Sequence, residues 1–290
     1  MGKLYRAISA DGSAFAEVLD AKDIVSEIER IHKTSAVITA GLGRLTIAAS
    51  LMGYMLKGEN DTITLRVDGG GPAGQLTAVA DNWGNVKSCV GNPVVEIPLN
   101  AQGKLDVGGA VGTDGTLSVV KDMGLKEPYI GVVPITSGEI AEDFAYYFFT
   151  SEQIPSVVAL GVLVNPDLSI KKAGGYIVQL MPGVEEEFID ALEKRVGELN
   201  SITAMLDAGL TPENIIEEIF KDIEEIEFLA KKDVAYRCRC DKDKYYRGLI
   251  TLGKKDIEEM LEKDGKIEVE CHFCRKKYSY TREEFQEFLK

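Results

Sequence analysis

The sequence predicts an α+β protein in three parts: a mostly antiparallel sheet domain with packed helices over residues 1–183, a helical linker over 184–232, and a small cysteine-rich module over 233–290. Short alternating segments separated by turn signals predict the first part. The charge balance changes near residue 232, since residues 183–232 carry 14 acidic and 5 basic side chains while residues 233–290 carry 13 acidic and 14 basic ones. Four of the five cysteines lie in the last fifth of the chain.

The chain is predicted to begin with a hairpin and two helices. Leu4 to Ala21 alternates apolar and polar residues around the turn signal Asp11-Gly12. Lys22 to His32 has apolar residues at helical spacing, and Thr34 to Lys57 is a longer helical pattern rich in Ala, Gly and Leu. Because small residues let a helix approach its neighbours closely, we expect the second helix to be buried against a sheet.

Strand-like segments then continue as far as Thr136. Thr62 to Asp68 alternates as a strand and is followed by a glycine-rich segment, Gly69 to Gly74. A phosphate-binding loop needs a helix directly after its glycines, but Gln75 to Ala80 alternates like another strand. The glycine-rich segment is therefore predicted to be a wide hairpin turn. Cys89, in a later strand-like segment, is expected to be a small core residue.

A helix and a hairpin complete the first part. Ser137 to Gln153 has helical spacing, and the Ser137 side chain is predicted to cap the helix. Ser156 to Val164 and Gly174 to Met181 alternate on either side of the turn signal Asn165-Pro-Asp167. These two segments are predicted to form the last hairpin of the sheet domain.

Residues 184–230 are predicted to form two amphipathic helices, the second beginning at Thr211-Pro212 with an N-cap and a proline. Their apolar stripes are Val184, Phe188, Leu192, Val196 and Leu199 in the first helix and Ile215, Ile219, Ile223 and Ile226 in the second. The helices either pack on the core or form a linker that binds other proteins when uncovered. In the second case the contact residues would include Phe188, Leu192, Ile215, Ile219 and Ile223.

The cysteines of the C-terminal module form two close pairs, Cys238-Arg-Cys240 and Cys271-His-Phe-Cys274. Sulfur donors grouped in this way suit a single tetrahedral soft metal ion, and we expect one Zn²⁺ per chain. Lys254 to Asp264 is predicted to be a helix between the pairs, and Lys266 to Glu270 a strand leading into the second pair. So small a module has a marginal core, so bound metal is expected to supply most of its folding free energy.

Spacing alone leaves the role of this metal site open. It is either a purely structural zinc site or a redox trigger; paired disulfides in an oxidising compartment conflict with the absence of a secretion signal. In an extended strand the Cα atoms of Cys238 and Cys240 would lie about 6.6 Å apart, near the limit for a disulfide. A direct bridge would therefore require the backbone to bend. The cations beside the thiols either stabilise thiolates or are ordinary solvated charges: Arg237, Arg239, Arg275, Lys276 and Lys277.

Composition argues against several classes of function. A net charge of −14 disfavours a general nucleic-acid binder, because phosphate backbones attract cations. The longest apolar run, Leu45 to Leu56, is too short to span a bilayer, so we expect no membrane partner and a cytoplasmic location. The two histidines, His32 and His272, lack a neighbouring nucleophile motif, so no catalytic site is predicted.

Four sets of residues together resemble the heat shock protein 33 family, the redox-regulated 33 kDa chaperonins. They are the cysteine pattern Cys238-x-Cys240 with Cys271-x-x-Cys274 and the segments Ser137 to Tyr147, Ser151 to Ser156 and Gly174 to Gly183. The resemblance extends over the whole length, and the cysteine pattern does not depart from that of the family.

The resemblance implies an ATP-independent holdase rather than an enzyme. The reduced, inactive form would hold one Zn²⁺ on Cys238, Cys240, Cys271 and Cys274. Oxidants would then form Cys238–Cys240 and Cys271–Cys274 disulfides and release zinc, after which the chain would expose apolar surface, form a homodimer and bind unfolded or oxidatively damaged client proteins. Two other classes compete: an adaptor with a structural zinc module, and a thiol–disulfide oxidoreductase that uses Cys271 and Cys274.

Overall fold

The computed structural model describes residues 1–290 and divides into two compact units, Met1–Tyr236 and Arg237–Lys290. The predicted linker, residues 184–232, lies within the first unit. The predicted α+β class is confirmed, since antiparallel sheets and helices build the first unit and the four clustered cysteines lie in the second.

The first unit consists of ten strands, seven α-helices and one π-helical turn. In chain order they are β1 (Gly2–Ser9), β2 (Ala14–Asp20), α1 (Lys22–His32), α2 (Ala36–Tyr54), β3 (Thr62–Asp68), β4 (Leu76–Asp81), β5 (Val86–Val90), α3 (Val107–Val111), β6 (Thr116–Asp122), β7 (Tyr129–Pro134), α4 (Ala141–Tyr147), the π-helical turn (Phe148–Glu152), β8 (Ser156–Val164), β9 (Ile170–Leu180), α5 (Glu186–Glu198), α6 (Ile202–Asp207), α7 (Pro212–Phe220) and β10 (Ile226–Val234).

The first sheet has five antiparallel strands in the order β10-β1-β2-β9-β8. The predicted hairpins β1–β2 and β8–β9 are both confirmed. Because successive side chains of a strand point to opposite faces, Leu19 of β2 packs in the cluster that contains α1 and α2, whereas its neighbour Val18 packs with α6 and α7. Both faces of this sheet are therefore covered by helices.

Helix α2 lies between this sheet and a second antiparallel sheet in the order β5-β4-β3-β6-β7. It is the one helix long and apolar enough to cross a membrane, and 89% of its 18-residue apolar window is buried inside the protein. Its predicted close packing is confirmed, because a Cβ atom added at Gly53 would lie 2.7 Å from the Cβ atom of Ala80. A buried core helix of this kind passes the same length and composition test as a membrane span.

The glycine-rich segment after β3 is the wide turn that the sequence predicts, because β3 and β4 are antiparallel neighbours. A Cβ atom on Gly69 would lie 2.1 Å from the Gly112 carbonyl oxygen, so two backbone segments touch here and only glycine fits. The prediction of continuous strand-like structure to Thr136 is wrong at α3. There the Asp106 side chain accepts a hydrogen bond from the Gly109 amide and caps a short helix.

The helix predicted from Ser137 begins later, at Ala141. The Asp143 carboxylate accepts hydrogen bonds from the backbone amides of Thr136, Ser137 and Ile140, and this holds the preceding residues in a loop. The predicted cap is wrong, because the Ser137 hydroxyl accepts a hydrogen bond from the Glu139 amide instead. After Tyr147 the chain widens into the π-helical turn.

The prediction of two helices over 184–230 is wrong beyond Phe220. Three helices form, and β10 follows and pairs with β1 from Ile226 opposite Ser9 to Val234 opposite Gly2. Ile226 continues the helical spacing of the apolar stripe, but the open edge of β1 supplies hydrogen-bonding partners for an extended backbone. Tertiary pairing therefore overrides the local pattern, as is common for short strands.

The second unit contains α8 (Lys242–Ile250), α9 (Lys254–Asp264), β11 (Lys266–Glu270), β12 (Lys277–Thr281), a 3₁₀ turn (Arg282–Phe285) and α10 (Gln286–Leu289). The predicted bounds of α9 and β11 are confirmed, and Gly265 ends α9 with a φ of 71°. Helix α8 was missing from the prediction. A small core fills this unit and consists of Leu249, Ile257, Leu261, Ile267, Tyr278, Tyr280 and Phe285.

We expect Gly53→Ala to lower the free energy of unfolding of the first unit by about 1–3 kcal/mol, because the new methyl group would overpack α2 against β4. Gly197→Ala in α5 is the matched control, since nothing lies within 4 Å of its added Cβ. It should stabilise the protein by up to about 1 kcal/mol. Urea unfolding followed by fluorescence of the single tryptophan, Trp83, measures both; equal effects would contradict the packing of α2 described above.

Candidate metal centre

The turn between β11 and β12 places Cys271 and Cys274. The Cys271 amide donates to the Lys276 carbonyl oxygen at 2.9 Å, and the Arg275 amide donates to the Cys271 carbonyl oxygen at 2.8 Å. Arg275 adopts a φ of 59°, which lets the chain reverse within a few residues. This tight turn brings both thiols to the same side of the hairpin.

Cys238 and Cys240 lie in an irregular segment that leads into α8, not in an extended strand. Asp241 caps α8 by accepting a hydrogen bond from the Lys244 amide, which fixes the position of the chain directly after Cys240. The Tyr278 hydroxyl on β12 donates to the Cys240 carbonyl oxygen at 3.0 Å. These contacts hold the first pair of thiols against the hairpin that carries the second pair.

The four cysteine Sγ atoms all lie within 4.8 Å of one another. Cys238 Sγ is 3.7 Å from Cys271 Sγ, Cys240 Sγ is 3.3 Å from Cys274 Sγ, and none of the four is in a disulfide. A Zn–S bond of about 2.3 Å separates the sulfurs of a tetrahedral site by about 3.8 Å, so the cluster fits one zinc ion with small displacements. Four sulfur donors form a closed site of the structural type rather than one with an open catalytic position.

Hydrogen bonds make the four thiols unequal. Burial acts to raise the pKa of Cys271, but hydrogen bonds from the Tyr245 hydroxyl and the amides of Cys274 and Phe273 outweigh it and lower the pKa to about 6. Burial is the main cause of the raised pKa values of Cys238 and Cys274. Without a cation at their centre, Cys271 therefore loses its proton more readily than Cys238 or Cys274, and a bound divalent ion would favour the thiolate form of each metal ligand.

The sequence prediction missed the tyrosines of this site. The Tyr278 hydroxyl lies 3.2 Å from Cys240 Sγ, and Tyr245 hydrogen bonds to Cys271. The alternation of Tyr278 and Tyr280 on β12 is the signal for Tyr278, since both point into the small core. No comparable signal marks Tyr245, because its position depends on α8.

Three of the five cations considered as partners of the thiolates have other partners. Arg275 lies 3.0 Å and Lys277 3.8 Å from the Glu270 carboxylate. Lys276 Nζ lies over the Tyr278 ring, 5.2 Å from its centroid. For these three, the interpretation as ordinary surface charges is the better one. His272 is exposed and is not part of the four-cysteine cluster.

Comparisons with known proteins agree with this arrangement. Residues 2–281 match the family model described as Hsp33 protein. The chain is 50% identical over 284 residues to the 33 kDa chaperonin of Agathobacter rectalis, covering 98% of each chain. It is 46% identical over 286 residues to the 33 kDa chaperonin of Bacillus subtilis, covering 99% of this chain and 97% of that protein. The chain belongs to the Hsp33 family.

A solved structure extends the likeness to the fold of this Hsp33-family chain. The crystal structure of the 33 kDa chaperonin (heat shock protein 33 homologue) of Thermotoga maritima superposes with a TM-score of 0.90 at 38% identity. The match covers 99% of this chain and 97% of that one. The architecture of this chain is therefore that of its family.

The residues predicted to bind client proteins are covered in this structure. Ile215 and Ile219 are fully buried and Leu192 is 2% exposed, while Phe188 and Ile223 are partly buried at the rim of the same cluster. All five pack with side chains of one face of the first sheet. They lie in the first unit, and the four cysteines lie in the second.

We expect the reduced chain to bind one Zn²⁺ and to lose the fold of its second unit when a strong chelator removes the ion, since structural zinc contributes on the order of 10 kcal/mol to such folds. Cys274→Ser should abolish stoichiometric zinc binding, whereas the matched control Cys89→Ser, on β5 of the first unit, should retain one ion. Metal analysis and the dispersion of amide NMR signals measure both effects. Full zinc content in Cys274→Ser would rule out the four-thiol site.

Proposed function

We propose that this Hsp33-family chain is a redox-regulated, ATP-independent holdase that is inactive when reduced and zinc-bound. The observation that carries the proposal is the cluster of four thiols within 4.8 Å in a small unit, in a chain whose relatives are named 33 kDa chaperonins. Bound Zn²⁺ would supply folding free energy and hold the thiols as thiolates. The partners would be unfolded or oxidatively damaged proteins, the location cytoplasmic, and the oxidised form a homodimer.

The proposed chemistry needs only peroxide and the four thiols. A thiolate attacks hydrogen peroxide to give a sulfenic acid and hydroxide, which takes up a proton to become water. A neighbouring thiol then attacks the sulfenic sulfur, forms the disulfide and releases a second water. Two disulfides consume two peroxides per chain. The family resemblance implies Cys238–Cys240 and Cys271–Cys274. Each disulfide removes two metal donors, so the oxidised chain can no longer bind zinc and the second unit loses its main source of folding free energy.

The helix layer α5–α7 supports the apolar surface that the proposal requires. Isolated helices of this length are marginal in water, so α5, α6 and α7 depend on packing against the first sheet. Arg195 of α5 donates a hydrogen bond to the Glu218 carbonyl oxygen of α7, which joins the layer. If the layer leaves the sheet, the apolar stripes and the sheet face they cover become available to clients. In this division residues 1–183 are the core, 184–232 the mobile cover and 233–290 the redox switch.

Two competing functions predict different behaviour on oxidation. An adaptor with a structural zinc module would lose activity when oxidised and would bind its target with strong salt dependence. A thiol–disulfide oxidoreductase would reduce insulin with turnover, but no thioredoxin-like strand–motif–helix arrangement surrounds Cys271-x-x-Cys274, which follows β11 and precedes β12. We therefore propose that the chain is not an enzyme.

The test is a paired titration of the reduced protein with peroxide at mildly elevated temperature. A chromophoric chelator follows released zinc, and light scattering of an aggregating client follows protection in the same samples. We expect both signals to rise together, to saturate near two peroxides per chain and to reverse with a thiol reductant. Peptide mapping should find Cys238–Cys240 and Cys271–Cys274. Zinc release without client protection would overturn the holdase and favour the adaptor.

A second prediction concerns the apolar stripe of α7. Replacing Ile219 and Ile223 with Ser should weaken client protection by the oxidised protein, because two apolar contacts are lost, while zinc content stays at one ion. Ile219 is fully buried, so the single variant Ile223→Ser separates loss of the stripe from loss of packing. Ile130→Ser on β7, 59% exposed, is the control and should protect like the wild type. Unchanged protection by both Ile223→Ser and the double variant would remove this stripe from the client site.

A further inference from the structure

A small apolar cleft of about 290 Å³ opens on the first unit between the π-helical turn and α5, above β8 and β9. Its floor is formed by Val157 and Val178. Phe149 and Pro155 form one wall, and Ile189 and Leu192 of α5 form the other. A cleft of this size accommodates side chains of a polypeptide segment rather than a folded partner.

Phe149 is presented to solvent by an unusual piece of backbone. It is 68% exposed, more than any other large apolar side chain of the chain. It lies in the π-helical turn, whereas the preceding Phe148 is 1% exposed and packs against Tyr147 with ring centroids 5.6 Å apart. π-Helical turns are rare and occur frequently at functional sites. The π-helical turn therefore buries the Phe148 ring and exposes the Phe149 ring at the mouth of the cleft.

The cleft is continuous with the apolar interface beneath the helix layer. Val178 and Leu192 line the cleft and also belong to the buried cluster between the first sheet and α5–α7. The cleft is therefore the solvent-open end of an otherwise covered surface. Because α5 forms one of its walls, any displacement of α5 from the sheet would lengthen the cleft into that surface.

The rim on the α5 side is acidic. Glu193 lines the cleft, and Glu186 lies three residues before Ile189, on the same side of the helix. Asp190 is exposed between them. None of these three carboxylates is in an ion pair, so their charge is available to a ligand. An apolar cleft with an acidic rim is complementary to an apolar segment that carries flanking cations.

We propose that this cleft is a docking site for an extended apolar segment of unfolded polypeptide flanked by Lys or Arg residues. It accepts one such segment even in the reduced protein. Holding a whole client would need the larger surface beneath α5–α7, which is covered in that form, so the reduced protein stays inactive as a holdase. The segment would place an aromatic or aliphatic side chain between Phe149 and Leu192, with a flanking cation near Glu193. The proposal rests on the proposed function, which makes unfolded polypeptide the partner. It differs from the stripes of α5–α7, which are covered until the helices move.

The test uses the reduced, zinc-loaded full chain and two fluorescent peptides with the same Leu-Phe-Leu-Phe centre, one flanked by two lysines on each side and the other by two glutamates. We expect the lysine peptide to bind at least fivefold more tightly, with a preference that weakens as salt is added. Phe149→Ser should lower its affinity at least fivefold, and Glu193→Lys should reduce the preference for it. Leu125→Ser, at a residue 67% exposed and outside the cleft, is the matched control and should bind like the wild type.

Equal binding of both peptides, or equal losses in Phe149→Ser and Leu125→Ser, would overturn the docking site. So would sedimentation data in which Phe149→Ser disrupts a dimer of the reduced chain and leaves peptide binding unchanged, because a second copy would then be the occupant. Failure here is distinguishable from failure of the proposed function. If oxidised protein prevents aggregation while neither peptide binds the reduced form, the holdase stands and the cleft does not. Peptide binding by the reduced form without client protection by the oxidised form would support the cleft and overturn the holdase.

Discussion

The first sheet is apolar on both faces, and the architecture of the first unit depends on this constraint. Each face must be covered, because exposed apolar area costs roughly 25 cal/mol per Å². The two covers differ in kind. Helix α2 has a second sheet on its other side and is buried almost throughout, so it cannot leave without dismantling the core. Helices α5–α7 are short, have solvent on their outer side and bury only one stripe each. Of the two covers, α5–α7 is the one that the proposed switch would displace.

The second unit, in contrast, has only a small apolar core, and such a core alone gives marginal stability. Its core consists of seven buried side chains in 54 residues, from Arg237 to Lys290. Two tyrosines of β12 join that strand to the segment that carries the first cysteine pair. The Tyr278 hydroxyl donates to the Cys240 carbonyl oxygen, and the Tyr280 hydroxyl donates to the Lys242 carbonyl oxygen at 2.7 Å. Such hydrogen bonds contribute about 1 kcal/mol each, an order of magnitude less than a structural zinc ion. A zinc ion on the four thiols, as proposed above, would therefore be the dominant determinant of whether this unit is folded.

Local pattern was sufficient to predict the elements whose partners are near in sequence. The hairpin β1–β2, helix α1 and the cysteine cluster all follow from spacing within about 40 residues. The largest failure involves a distant partner. Strand β10 forms because β1, more than 200 residues earlier, offers an open edge. Glu17 is fully buried beside Arg6, and burial raises its pKa to about 7 while the guanidinium acts against the shift. Nothing in the sequence around Glu17 distinguishes it from a surface carboxylate, because its burial depends on α2 and the strands beside it.

The magnitudes limit how the proposed switch can work. Shifting a two-state element from 1:99 to 99:1 takes about 5.5 kcal/mol. A structural zinc ion contributes on the order of 10 kcal/mol. In the proposed switch, loss of the ion would therefore have to destabilise the packed state of α5–α7 by about half of that amount. Within the first unit, the residues just before Cys238 form hydrogen bonds with β5. The Ala235 carbonyl oxygen accepts from the Val86 amide at 3.0 Å, and the Tyr236 hydroxyl donates to the Ser88 carbonyl oxygen at 2.8 Å. These bonds fasten the end of β10 to β5 in the second sheet with only a few kcal/mol. Because β10 also pairs with β1 from Ile226 to Val234, release of β10 in the proposed switch would require loss of that ladder as well as of these bonds.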